Sequence, residues 1–160
     1  MSRKKFKIGL VIGRFQPFHK GHEFLFERAL ELCDSIVVGI GSANKNSQKN
    51  PWKASSRRKM LQEFIKAKGY EDRIIRIVNL YDNSDDDVWF RNLYKKIGHF
   101  DVTIGNNDWN NGIIERHGIP AVKVGFENRE EWEGIQIRQL MKEKKPWEDR
   151  VPTYIRAVIK

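Results

Sequence analysis

Residues 13–22, GRFQPFHKGH, gather two histidines, an arginine, a lysine, two glycines and a proline into one short stretch. His19 and His22 are three apart. At the start of a helix such residues share a face, so both imidazoles can point at one small volume. That volume lies at the positive end of the helix dipole, where an anion, most naturally a phosphate, is favoured. Arg14 and Lys20 add charge that persists at neutral pH. Gly13 ends an apolar run without a Cβ, which lets a ligand come close, and Gly21 leaves room in the first helical turn. Pro17 stiffens the loop. Two other readings of the histidines stand beside the phosphate site. One is a helix cap or surface pair. The other is zinc, which needs a third ligand. No further Cys or His lies nearby, and His99 and His117 stand singly, far along the chain. No metal ligand is assigned.

Something must hold this stretch in place. KIGLVIG, just before it, reads as a buried parallel strand. After Lys20 the apolar period becomes helical: His22, Leu25, Phe26, Ala29, Leu32 and Cys33 recur on one side. DSIVVGIG is a second strand, at 35–41, followed by the polar loop SANKNSQKNPWK. A basic amphipathic helix is expected over 55–67. DRIIRIVNL is a third strand, and the acidic YDNSDDD caps a helix over 88–97. DVTIG, WNNGIIERHG and PAVKVGF then give strand, helix and strand. Two C-terminal helices are expected near 135–143 and 151–159. Strand and helix alternate throughout, the pattern of an α/β fold: an open, doubly wound parallel sheet of five strands with C-terminal helices. Such sheets bind ligands at the carboxyl ends of their strands, which is where residues 13–22 fall.

The chain has 160 residues, which suits one domain, and a net charge of +9, which favours anionic partners such as nucleotides, phosphorylated metabolites or nucleic acid. Its one cysteine, Cys33, permits no internal disulfide and reads as a small buried residue. The start, MSRKKFKIGLVIGRF, is too short in apolar residues for a signal peptide, and no stretch approaches a membrane span. A cytoplasmic protein with no membrane partner is expected. GIGSAN lacks the third glycine of a dinucleotide fingerprint, and no Gly-Lys-Ser/Thr phosphate loop is present.

HKGH resembles the H-x-G-H signature of the nucleotidyltransferase superfamily, and the fuller GRFQPFHKGH resembles the archaeal-type nicotinamide mononucleotide (NMN) adenylyltransferases. GIGSA, NPWKASSR, Trp89 after the acidic loop and FENREEWEGIQIR follow in the family's order, so the likeness spans nearly the whole chain. The resemblance implies a Rossmann-like nucleotidyltransferase fold and transfer of the AMP moiety of ATP to NMN, giving NAD+ and pyrophosphate, with Mg2+ on the ATP phosphates. It implies catalytic roles for His22, His19, Arg14 and Arg138. It puts Gly13, Arg14, Phe15, His19, Gly21, His22, Asn106, Gly134, Ile137 and Arg138 around ATP. It puts Gln16, Ser42, Arg57 and Trp89 around NMN, with Trp89 stacked on the pyridine ring. A homo-oligomer is implied as well, and nucleic acid is not an expected partner.

Several of these residues have a structural reading too. Trp89 suits a core position at a helix start, Arg58 and Lys59 suit a solvated helix face, and Asp85, Asp86 and Asp87 suit a helix cap. Asn106 and Asn107 suit turn chemistry. EGIQIR departs from the family's S-G-T-x-I-R: Glu133 and Ile135 stand where two hydroxyls would meet the triphosphate. That departure keeps two rivals in view. One is a related transferase acting on phosphopantetheine or FMN. The other is a non-catalytic nucleotide-binding or RNA-binding protein.

Overall fold

The computed structural model describes residues 4–129 and 131–159. Five parallel strands form one sheet in the order β3-β2-β1-β4-β5. They are β1 (Phe6–Gly13), β2 (Cys33–Ile40), β3 (Ile74–Asn79), β4 (Val102–Ile104) and β5 (Ala121–Val122). The connecting helices are α1 (Lys20–Leu32), α2 (Ala54–Lys68), α3 (Asp86–Ile97) and α4 (Asp108–Arg116). Helices α5 (Gly134–Lys142) and α6 (Thr153–Ile159) close the chain. The expected doubly wound sheet is therefore the fold.

Side-chain alternation along the central strands divides the core in two. Val11, Ile36 and Val38 face one side, where they meet Phe18, Phe26, Met60, Leu61 and Phe64 from the α1 and α2 side of the sheet. Leu10 and Val37 face the other, with Phe90, Leu93 and Ile97 of α3 and Ile113 and Ile114 of α4. Side chains of β2 and of the residue just past β3 require glycine at two sheet positions. A Cβ on Gly9 would stand 2.5 Å from the Cys33 sulfur, and one on Gly39 would stand 2.5 Å from Leu80. Cys33 is buried, as expected; it caps the end of α1, its amide donating to the Ala29 carbonyl, and it also opens β2.

β1 has β2 on one side and β4 on the other, so the chain order reverses beside it. The crevice this creates lies at the carboxyl ends of these strands, where Gly13 leads into Arg14 and Ile104 leads towards Asn106.

Two elements are shorter than their sequence patterns. PAVKVGF pairs with β4 only at Ala121 and Val122. Beyond them the Val124 and Gly125 amides donate to the Asn106 side chain instead of a neighbouring strand. The last helix begins at Thr153 rather than 151, because Pro152 holds Val151 extended (φ −120°, ψ 135°). Among the described residues no helix is long and apolar enough to cross a membrane.

Phe64 sits at the centre of the larger core, its ring packed near those of Phe18, Phe26 and Tyr154. Phe64→Ala is expected to cost about 3–5 kcal/mol in urea unfolding. Tyr81→Ala, at a residue 56% exposed, should change stability by less than about 0.5 kcal/mol.

Candidate active site

The site is built on how β1 leaves the sheet. Phe15 lies in the left-handed region (φ 54°) and is 1% exposed. This turn drives its ring inward, against Phe18, Phe26 and His22. The ring fills the space that a Cβ on Gly13 would need, with 2.8 Å between them. Gly13 therefore serves the packing of Phe15, not the approach of a ligand through its missing side chain. Phe15 in turn can offer a ligand only backbone.

His19 and His22 begin α1 as a reciprocal cap. The Nδ1 of His19 accepts from the Gly21 amide at 3.1 Å, and the Nδ1 of His22 accepts from the His19 amide at 3.1 Å. Their rings stack with centroids 3.8 Å apart. Burial, then the Arg138 charge, pulls the His19 pKa down to about 3. Burial, then its neighbour His19, holds His22 well below the ordinary imidazole range. Both rings are thus neutral at pH 7. With each Nδ1 accepting, each proton sits on Nε2. The capping and ligand-binding readings are compatible: one nitrogen caps the helix, and the other is a donor to whatever occupies the cleft. Gly21 is needed here because a Cβ would stand 2.8 Å from both the His19 ring and the Trp132 carbonyl.

Three clefts meet at this corner. The first, about 370 Å³, runs between α3 and α4 and is lined by Arg14, Ser42, Asp82, Asp86, Trp89 and Trp109 among others. The second, about 290 Å³, runs past His19, Gly21, His22, Asn106, Phe126 and Trp132. The third, about 230 Å³, holds Arg14, His19, His22, Lys49, Gly134 and Arg138. Ile12 and Gly13 border the first two. Arg14 links the first to the third, and the two histidines link the second to the third. The geometry is two arms joined at a cationic corner.

Several residues expected to touch ligand have their polar groups engaged by the protein itself. Arg57 is fully buried and donates to three backbone carbonyls: Arg14 (3.0 Å), Gly41 (2.8 Å) and Ser42 (3.1 Å). Its guanidinium holds the ends of β1 and β2 together and has no face towards an acceptor phosphate. Gln16 is 3% exposed, and its amide exchanges hydrogen bonds with the Trp52 backbone, both at 3.0 Å. The Ile137 side chain is wholly in the core. Asn106 spends its amide on Val124 and Gly125. Asn107 caps α4 by accepting from the Asn110 amide. Arg58, expected on a solvated face, reaches the Ile77 carbonyl (2.9 Å) and the Asn79 side chain (3.0 Å). Asp85 caps α3, as its sequence position implies.

Other expected residues do face the clefts. Trp89 lines the first cleft while its inner side packs on the smaller core. The Ser42 hydroxyl lies there too, donating to Asp82 at 2.9 Å. Arg138 donates to the Gln16 carbonyl at 2.6 Å. Gly134 permits this contact, since a Cβ there would stand 2.8 Å from the Arg138 guanidinium. Glu133 precedes α5 without accepting any of its amides, so the first amides of α5 are left uncapped by that side chain. Sequence reasoning did not single out Asp82, Lys49, Trp109, Phe126 or Trp132. Trp109 carried a signal: it is the one large apolar residue in the polar run GNNDWNNG.

A cytidylyltransferase-like family model matches residues 10–157. A nicotinamide-nucleotide adenylyltransferase from Thermoplasma acidophilum is 34% identical over 99% of this chain and 88% of its own. The protein of the same name from Haloarcula marismortui is 36% identical over 94% of this chain and 79% of its own. Among solved structures, a bifunctional NMN adenylyltransferase/ADP ribose pyrophosphatase from Francisella tularensis, complexed with AMP and a manganese ion, superposes with a TM-score of 0.75 at 19% identity. That match covers 96% of this chain and 52% of that one, so the chain spans about half the length of the Francisella protein.

Arg57→Lys keeps the charge but cannot reach three carbonyls at once. It is expected to cost about 2 kcal/mol or more in urea unfolding, because buried acceptors lose charge-assisted donors. The histidines predict a pH effect of definite sign. Below about pH 6.5 the unfolded chain takes up protons on His19 and His22. The folded chain does not until near pH 3 at His19. Stability is therefore complete above about pH 6.5 and falls as pH drops towards 3. The urea midpoint should fall less steeply between pH 7 and 4.5 in a His19→Asn, His22→Asn variant, in which the asparagine at the N-cap still offers an acceptor.

Proposed function

The chain belongs to the cytidylyltransferase-like family, among the nicotinamide-nucleotide adenylyltransferases, and from that membership we propose that it joins NMN to the AMP moiety of ATP. The products are NAD+ and pyrophosphate. The observation that carries this reading is the cationic corner at which two arms meet. A reaction that links two nucleotides through their phosphates needs two base-binding arms and one shared phosphate site.

The first cleft, with Trp89, takes the pyridine ring of NMN, and the second takes adenosine. The NMN phosphate is already ionised, so no general base is needed. One of its oxygens forms a bond to the α-phosphorus of ATP as the bond to the β-phosphate oxygen breaks. Pyrophosphate leaves with the electron pair. Catalysis then lies in alignment and in stabilising charge as it moves across the phosphates.

The donors for that task come from three places. His19 and His22 present neutral Nε2–H groups, so they stabilise charge by hydrogen bonding rather than as cations. Arg14, Lys49 and Arg138 supply the positive charge. The open amides of α5 stand in for the hydroxyls that Glu133 and Ile135 do not provide. Gly13, Phe15 and Ile137 contribute through backbone only, and Gln16 and Arg57 act by holding the site's shape.

The described residues contain no group of three or more His, Cys, Asp or Glu side chains able to cage a metal ion. That donor set fits a cation held chiefly by the triphosphate, with Glu133 the carboxylate bordering the phosphate cleft. Mg2+, bound there, supplies neutralisation of the phosphate charge. A homo-oligomer, which the family resemblance implies, is open to light scattering.

Incubation with Mg2+, ATP and NMN should yield NAD+ and pyrophosphate in equal amounts. Turnover with phosphopantetheine or FMN, and none with NMN, would overturn the acceptor assignment. ATP binding without turnover of any acceptor would overturn the enzyme itself. His22→Ala should lower kcat by about 10²-fold or more while leaving the fold intact by circular dichroism.

A further inference from the structure

Trp109 is the most exposed large apolar side chain among those described, at 70%. It sits in the first turn of α4, at the rim of the first cleft. A solvent-facing indole gains nothing for folding. Trp89, in the first turn of α3, lines the same cleft. The cleft of about 370 Å³ lies between the helices that carry the two indoles. Asp82, Asp86 and Asn83 line the same space. Asp82 accepts from Ser42 at 2.9 Å, and Asp86 faces Arg116 at 3.2 Å from outside the cleft. Arg14, at the corner, is the only Lys or Arg side chain among the described residues that borders this cleft. The cleft is thus polarised: cationic where it meets the phosphate corner, acidic and aromatic along its arm.

We propose that Trp109 is a second aromatic wall, and that with Asp82 it makes this arm select a positively charged heteroaromatic ring. This deepens the assignment of the cleft to the NMN pyridine and rests on it. The indole faces of Trp89 and Trp109 attract a cation through their quadrupoles. The Asp82 carboxylate attracts it through charge. A pyridinium nucleotide is a zwitterion, with a cationic ring and an anionic phosphate, and the cleft has the complementary sign at each end. The 1,4-dihydro form of the same mononucleotide has almost the same shape, but its ring is neutral and no longer aromatic. The arm therefore discriminates the oxidised acceptor from the reduced one.

The test compares NMN with its dihydro form at saturating Mg2+-ATP. The wild type should use the dihydro form with kcat/KM at least about tenfold lower, mostly through KM. Trp109→Ala should raise KM for NMN about three- to tenfold, with KM for ATP held within about twofold. Trp109→Phe should recover most of that loss. Asp82→Asn, which can still accept from Ser42, should narrow the gap between the two acceptors. Equal use of both acceptors by the wild type would overturn the inference, as would a Trp109→Ala variant that weakens both acceptors alike. A separate measurement does not depend on turnover. Binding of 1-methylnicotinamide, a pyridinium without phosphate, should quench tryptophan fluorescence, and Trp109→Phe should reduce that quenching. If NMN gives no NAD+ yet this quenching is seen, the catalytic reading fails and the charge-selective slot stands. If NAD+ forms and the Trp109 variants behave as wild type, the slot fails and the catalytic reading stands.

Discussion

Beneath the corner where the clefts meet lies a buried positive charge to which no carboxylate is bonded among the described residues. The Arg57 guanidinium is compensated by the carbonyls of Arg14, Gly41 and Ser42, which are the residues where β1 and β2 leave the sheet. Burying a charge is costly unless it is well hydrogen-bonded, and three carbonyls are the compensation available here. The arrangement has a consequence for everything above it. Arg14, the Phe15 turn and the Ser42–Asp82 pair all hang from backbone that this one side chain fixes. A second tie, from Arg138 to the Gln16 carbonyl, brings the start of α5 to the same loop across more than a hundred residues of sequence. The site is thus assembled by arginines acting on backbone as much as by residues that face a ligand.

The histidines illustrate how helix capping can aim a hydrogen-bond donor. A flexible imidazole has two tautomers and many orientations. Here each ring commits Nδ1 to an amide of the same helix start, which fixes the tautomer and aims the remaining N–H. Burial keeps both rings neutral, so what they offer the cleft is directed hydrogen bonds, while Arg14, Lys49 and Arg138 carry the net charge. A neutral donor also avoids repelling the two arginines, which already crowd one another: burial, then the Arg14 charge, lowers the Arg138 pKa. Directional donors and cations divide the work between them.

The cationic corner departs from the family pattern at Glu133 and Ile135, and the fold absorbs the departure in a particular way. Ile135 is 63% exposed, so its side chain takes no part in the core. Glu133 leaves the α5 amides open rather than capping them, and it faces Arg129 at 3.9 Å. Backbone donors and Arg138 remain at the position where hydroxyls would add to them.

The residue pattern by itself determined most elements, because short continuous apolar runs and stripes of period 3.6 depend only on local chemistry. The strands of IGLVI and SIVVGI, the glycines that punctuate them and the cationic, anion-suited chemistry of residues 13–22 were all legible there. Resemblance added the expectation of an acceptor arm around Trp89. What the pattern could not decide was which polar side chains face a ligand and which face the backbone. Arg57 and Gln16 have the chemistry of binding residues, and only the tertiary structure turns them inwards, since the Arg57 partners lie 15, 16 and 43 residues away and the Gln16 partner 36. Gly13 likewise looks like access until Phe15 folds over it. Asp82, Lys49 and Trp109 sit in loops and helix ends with no period to betray them, and become a site only when β1, β2, α3 and α4 bring their ends together. Local sequence specifies what each segment can do. The long-range contacts specify which of those capacities are spent on holding the protein together and which are left for its substrates.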